Sequence, residues 1–356
     1  MTPTIALLNG KRGVGTTSVI YHLAWMYADQ GHKVLAVDLD PQADLSNALL
    51  DVGRLEMLWF GGGRTIYDAL RPQIDGAQDV APAHRESIAP NLDLIVGDLS
   101  LSRFEDELVL QWERCLARKE SAFRVISAFH RCIQGAAEAA AADVVLVDLG
   151  PDLGAVNRAA LTACHHVVVP VATDLFATWG LRAATSVVRQ WQDDWQQRLL
   201  KNPIPEMGLA NEVMRLAGYV IVERVLRLEE PRPSPDIWAR RVAGELGTKF
   251  SEGSATALTP SWIDVIPDVY ATGVRASHPA AHPASDPSCL GLLKWYGSLM
   301  PIAQEARKPI FRLRPADGAL GAHASAVRDA SRDYQELAAR IAAATWRSGE
   351  ASSTRS

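Results

Sequence analysis

Residues 9–18 read Asn9-Gly10-Lys11-Arg12-Gly13-Val14-Gly15-Thr16-Thr17-Ser18, and the chemistry this stretch suits is anion binding. A glycine-rich turn between a strand and a helix aims backbone N–H groups and the positive end of the helix dipole at a phosphate. The consensus for such a loop is G-x-x-x-x-G-K-[ST]. Gly10, Gly15 and Thr17 fall on it, while the lysine position holds Thr16. Thr17 supplies the hydroxyl that takes a Mg²⁺ ion, and Lys11, near the start of the loop, is the ammonium available. The loop lysine normally neutralises the β- and γ-phosphates during transfer. A nucleotide is therefore expected at residues 10–18, and its hydrolysis does not follow from the motif. The plainer alternative is a glycine turn without a ligand, which the flanking strand and helix patterns disfavour.

Two carboxylate motifs fit the same chemistry. Lys33 to Val37 reads as a buried strand running into Asp38-Leu39-Asp40-Pro41-Gln42. Where a strand ends, Asp38 can face a Mg²⁺ shell while Asp40 reaches an attacking water; a solvated acidic loop is the alternative. Further on, Val144-Val145-Leu146-Val147-Asp148-Leu149-Gly150-Pro151 is a run of β-formers delivering a carboxylate, the form of a second metal-side aspartate. Gly150 and Pro151 then break the strand. Asp148 as a turn or helix cap is the competing reading.

Taken in order, these three motifs resemble the ParA/MinD family of deviant Walker ATPases, whose loop reads K-G-G-x-G-K-[ST]. Lys11 stands at that family's signature lysine, Asp38 to Gln42 at its A′ motif and Asp148 at its Walker B. The segments Thr65 to Leu70, Asn91 to Ile95 with Glu105 to Leu108, Val167 to Val171 through Gly180-Leu181, Gly218 to Val222 and Val265 to Pro267 resemble ParA-type segments in order. The resemblance covers roughly residues 4–345. It implies ATP and Mg²⁺ as cofactors, with Thr17, Asp38 and Asp148 on the metal side and Asp40 positioning water. It also implies an ATP-dependent homodimer with Lys11 acting across the interface, slow hydrolysis, and a protein activator or cargo adaptor in chromosome or plasmid partition. Arg12 replaces the first loop glycine and Thr16 the loop lysine; a Gly-Val-Gly-Thr-Thr loop also resembles the TadZ/CpaE branch. The rival reading is a nonhydrolysing ATP-sensing scaffold or regulatory subunit.

These residues need a scaffold that brings strand ends together. Apolar runs at 4–8, 33–37, 92–96, 144–148, 166–171, 218–222 and 263–266 alternate with helical patterns. That alternation predicts a doubly wound α/β fold with a mostly parallel sheet covered on both faces, the P-loop NTPase class. One domain is expected over 1–347, with insertions around 51–90 and 275–290 and a disordered tail at 348–356. Helices are expected within 103–142 and over 186–201, with Trp191 and Trp195 used for packing. His278 and His282 are spaced i, i+4, but Pro279 and Pro283 forbid a helix, so a loop is expected there and not a metal site.

Composition narrows the partners. With 356 residues, 48% hydrophobic, the chain can build a large core, and a net charge of −5 argues against a general nucleic-acid binder. Arginines group at Arg307-Lys308 with Arg312 and Arg314, at Arg224 to Arg241, and at Arg328, Arg332 and Arg340. Neighbouring acids dilute each group, which favours a solvated mixed-charge face over a nonspecific DNA surface. Four cysteines with no C-x-x-C pair point to a reducing compartment. No apolar run approaches the about 18 residues of a membrane span. The chain opens almost directly on its first strand, so no signal peptide and a cytoplasmic location are expected.

Overall fold

Strands buried on both faces are apolar along most of their length, and the central strands here follow that, with polar residues only at their ends: Thr4, Asp38, Asp148 and His166. The structure, a computed structural model, describes residues 1–62, 64–77, 79–172, 175–204, 214–223 and 286–346, with the backbone alone over 175–183. The first half runs β1 (Thr4–Leu7), α1 (Thr16–Asp29), β2 (Val34–Asp38), α2 (Asp44–Leu49), α3 (Val52–Phe60), α4 (Ile66–Ile74), β3 (Glu86–Ala89) and β4 (Leu92–Ile95). There follow α5 (Glu105–Leu116), α6 (Glu120–Ile126), α7 (Ala128–Ala140), β5 (Val144–Asp148), α8 (Ala155–Thr162), β6 (His166–Ala172), α9 (Leu175–Leu199), β7 (Arg215–Val222) and β8 (Cys289–Leu293). The C-terminal part adds α10 (Met300–Ala306) and α11 (Ala322–Thr345). Every residue of β1, β2, β5 and β6 is buried, as a parallel sheet sandwiched between helices requires.

The eight strands form one sheet in the order β3-β4-β2-β5-β1-β6-β7-β8. All neighbours are parallel except β3, which pairs antiparallel with β4 at one edge. One face packs mainly against α4 to α9 and the other against α1, α2, α3, α10 and α11. The expected doubly wound, mostly parallel architecture is thus present. Trp191 and Trp195 are packing residues: both are buried, and Trp195 stacks on Trp112 of α5 at 5.7 Å between ring centroids.

Two strands were not expected from sequence. β3 is four residues long with only Glu86 buried, so it carries no apolar run to read. β8 is short and broken by Gly291, which lets Leu337 of α11 pack close against its backbone. Residues 51–90, expected as an insertion, supply α3, α4 and β3. The expected strand at 263–266, the His278/His282 loop, Arg224 to Arg241 and the 348–356 tail lie outside the described residues. No helix among the described residues is long and apolar enough to cross a membrane.

The topology puts the chemistry at one end of the sheet. β1 lies between β5 and β6, and β2 lies beside β5, with Asp38 directly opposite Asp148 in register. Residues in register on adjacent parallel strands share a face, with their backbones about 4.8 Å apart. Two carboxylates are therefore forced together below the loop that leaves β1.

Candidate nucleotide and metal site

The loop after β1 is shaped by residues that hold its ends. Asn9 is buried: its side-chain amide donates to the Pro170 carbonyl on β6, and its Oδ1 accepts the Lys11 N–H at 2.9 Å. Val14 is buried and anchors the middle of the loop. Gly15, at φ +96°, occupies the left-handed region that glycine alone enters without cost and forms the N-cap of α1. No side chain caps α1 and its first turn carries no acid. The helix thus begins with N–H groups and a positive dipole end that suit a phosphate. Thr16 and Thr17 sit half-buried at that start, Lys11 is half-buried, and Arg12 is exposed.

Asp148 is the unusual group. It is fully buried, and neither carboxylate oxygen has a hydrogen-bond partner among the described residues. Burial, and then the charge of Asp38, push its pKa well above the ordinary carboxylate range, while the Thr17 hydroxyl acts weakly in the opposite sense without a hydrogen bond of normal geometry. An uncompensated buried carboxylate is expensive. Such a pair of open oxygens facing Thr17 fits a hard divalent cation.

Asp38 is equally buried but fully engaged. Its Oδ2 accepts from the Ser46 N–H at 2.8 Å and the Ser46 hydroxyl at 2.7 Å, and its Oδ1 accepts from the Asp40 N–H at 3.2 Å. Burial raises its pKa while the Ser46 bonds lower it. Ser46 also accepts the Gly97 N–H at 2.9 Å. A Cβ at Gly97 would stand 2.8 Å from the Asp38 carboxyl carbon, so the close approach of β4 to Asp38 needs glycine. Asp40 is buried, takes the Gln42 N–H at 2.9 Å and lies against Gly150. Burial raises its pKa; among nearby charges Asp44 and Asp152 raise it and Arg12 lowers it.

The segment after β5 is held from behind. Asn157 on α8 donates to the carbonyls of Gly150, at 2.6 Å, and Asp152. Glu105 accepts the N–H groups of Ala155 and of Val156, the latter at 2.9 Å, and so caps α8. The N-terminus of α8 is thereby occupied, while that of α1 has no such cap.

The structure brings together Gly10 to Ser18, Asp38, Asp40 and Asp148, the residues singled out from the sequence. Sequence reading missed Ser46, Gly97, Asn157 and the capping role of Glu105. A serine eight residues beyond Asp38, opening a short helix, was the one legible sign. Among the described residues no three His, Cys, Asp or Glu side chains form a self-sufficient metal cage. That suits Mg²⁺, which is commonly held by one or two carboxylates plus a hydroxyl, water and substrate phosphate oxygens. Within the arginine groups among the described residues, Lys308 pairs with Asp317, Arg312 with Asp29, and Arg332 with Asp329 and Asp333.

A parallel sheet with a glycine loop and uncapped helix after its central strand, above paired aspartates on β2 and β5, defines a P-loop nucleotide-binding protein. The family model of the AAA domain matches residues 2–201, more than half of the chain. The chain belongs to that family, as a P-loop ATPase of the ParA/MinD type. A protein named replication protein A from Rhizobium rhizogenes is 28% identical over 233 residues, 62% of this chain and 55% of that protein. The chromosome-partitioning ATPase Soj of Treponema pallidum is 29% identical over 240 residues, 65% of this chain and 84% of Soj. The chain spans about half the length of the rhizobial relatives it matches, 55% and 39%. Among solved structures, protein DIP2308 from Corynebacterium diphtheriae has the same fold, with a TM-score of 0.69 at 20% identity over 96% of this chain and 98% of that one.

Proposed function

We propose that this chain binds ATP with Mg²⁺ at residues 10–18 and works as a nucleotide-dependent dimerisation switch in DNA partition or in positioning a partner. The observation that carries the reading is Asp148: a buried carboxylate with two open oxygens facing the loop threonine. Thr17 and Asp148 would hold Mg²⁺, with Asp38 steadying the shell through Ser46. The metal supplies Lewis-acid neutralisation of the β- and γ-phosphate oxygens when bound. Asp40 holds a water near the γ-phosphate, and Lys11 supplies charge to the partner copy's nucleotide. The kinship with Soj supports partition as the setting.

A second reading follows from one residue. Thr16 puts a neutral side chain where the loop lysine stands; removing even one neutral donor from an oxyanion hole costs about 2.7–4 kcal/mol of transition-state stabilisation. On that reading the chain senses ATP without turning it over.

Thermal melting and light scattering with ATP·Mg²⁺, ADP·Mg²⁺ and ATP plus EDTA test the first reading. The expected result is stabilisation by either nucleotide with Mg²⁺, and a dimer with ATP·Mg²⁺ alone. A melting temperature indifferent to saturating ATP·Mg²⁺ refutes the site, because a ligand selective for the native state must stabilise it. Single-turnover hydrolysis separates switch from sensor.

A further inference from the structure

Arg12 is the residue by which this loop departs most from a glycine turn, and it has a partner outside the loop. Its Nη2 lies 3.6 Å from Oδ2 of Asp152, with both side chains largely exposed, at 62% and 80%. Arg12 and Asp152 act on the buried Asp40 carboxyl with opposite sign. Both charges therefore lie within electrostatic reach of the catalytic end of the sheet.

The two partners are not equally mobile. Asp152 sits on a segment whose carbonyls are held by Asn157 and whose following helix start is held by Glu105. Arg12 hangs on a long flexible side chain from the exposed part of the loop, next to Gly13 at φ +74°. A 3.6 Å contact between exposed groups is a weak ion pair. A phosphate offers a guanidinium two parallel charge-assisted hydrogen bonds. Given the choice, Arg12 exchanges a loose carboxylate for a phosphoryl group.

Thr16 makes that exchange consequential. The first turn of α1 contains no cation, Asp38, Asp40 and Asp148 lie below the loop, and a triphosphate brings negative charge of its own. Lys11 and Arg12 are the two cations that the loop itself carries. We propose that Arg12 is the phosphate-binding cation that replaces the loop lysine, and that Asp152 holds it in reserve until a nucleoside triphosphate displaces it. This rests on the nucleotide reading above and adds to it a residue and a resting contact.

Calorimetric titration of ATP·Mg²⁺ and ADP·Mg²⁺ into wild type, Arg12→Ala, Asp152→Asn and the double variant tests the proposal. Arg12→Ala is expected to weaken ATP about tenfold or more and ADP much less, as for loss of one charge-assisted contact near the γ-phosphate. Asp152→Asn is expected to tighten ATP severalfold, and that gain is expected to vanish in the Arg12→Ala background, the signature of a coupled pair. Nucleotide-free melting of the variants should match wild type, since the contact is exposed. If wild type binds ATP and Arg12→Ala binds it equally, the inference fails while the nucleotide reading stands. If Asp152→Asn tightens ATP in both backgrounds, Asp152 repels nucleotide directly and the latch is refuted. Equal weakening of ATP and ADP with a lowered nucleotide-free melt marks Arg12 as structural and overturns it too. If wild type binds neither nucleotide, both readings fall together.

Discussion

Replacing Asp148 by asparagine should change how stability depends on pH, in a direction set by the burial of this one carboxylate. Asp38 moves from its ordinary 3.8 to about 7 although three hydrogen bonds favour its ionised form. Asp148 is as completely buried, and burial and then the charge of Asp38 push its carboxyl well above the ordinary range. A carboxyl raised in the native state keeps a proton that the unfolded chain loses above about pH 4. The native state then binds more protons than the unfolded one, and stability is full below about pH 4 and falls as pH rises toward the native pKa. While the native group stays protonated and the unfolded one is ionised, the fall is about 1.4 kcal/mol per pH unit.

Asp148→Asn removes that group. An amide in the same apolar surroundings costs about as much as a protonated carboxyl, so the two proteins should be close in stability at about pH 4 and diverge above it. As pH rises toward 7, in EDTA, the variant should become the more stable of the two. Urea unfolding followed by tryptophan fluorescence at pH 5, 6 and 7 measures this directly. With ATP·Mg²⁺ present the order should reverse, because the ligand stabilises wild type alone. Parallel pH profiles for the two proteins in EDTA would refute the assignment of an open, strained carboxylate at residue 148.

Three further outcomes are expected. Thr17→Ala should weaken ATP·Mg²⁺ more than ATP in EDTA, because it removes a metal-side hydroxyl; an equal loss in both conditions excludes that role. Gly97→Ala should destabilise the protein by about 1–3 kcal/mol, since the new methyl meets the Asp38 carboxyl at 2.8 Å and the Ser46 bonds prevent retreat. An unchanged urea midpoint would mean that the contact yields. Thr16→Lys combined with Arg12→Gly moves the loop cation from residue 12 to the consensus lysine position at the β- and γ-phosphates, and should raise single-turnover hydrolysis tenfold or more, about 1.4 kcal/mol in the barrier. No change with ATP still bound places the slow step outside the chemistry.

What could be read from the sequence is what local chemistry dictates. Strands buried on both faces announce themselves as unbroken apolar runs, so β1, β2, β4, β5 and β6 were legible to within a residue or two. The glycines of the loop, Thr17 and the aspartates ending β2 and β5 were legible because the chemistry demands those residue types next to those runs. β3 was not, because an edge strand with one buried residue has no periodic signature. The partners that tune the site were hidden for a different reason. Ser46, Gly97, Asn157 and Glu105 reach it through contacts spanning 7–51 residues of chain, and the topology alone brings them together. Their effect is unequal. Asp38, caged by Ser46 and backbone, is a carboxylate already satisfied by the fold, whereas its register neighbour Asp148 is left for something the chain does not supply. Two aspartates that read alike as strand-ending carboxylates thus divide into a positioning residue and an open ligand, and Ser46 makes the division. Ser46→Ala would remove the hydroxyl that separates their roles and leave Asp38 competing for the same cation.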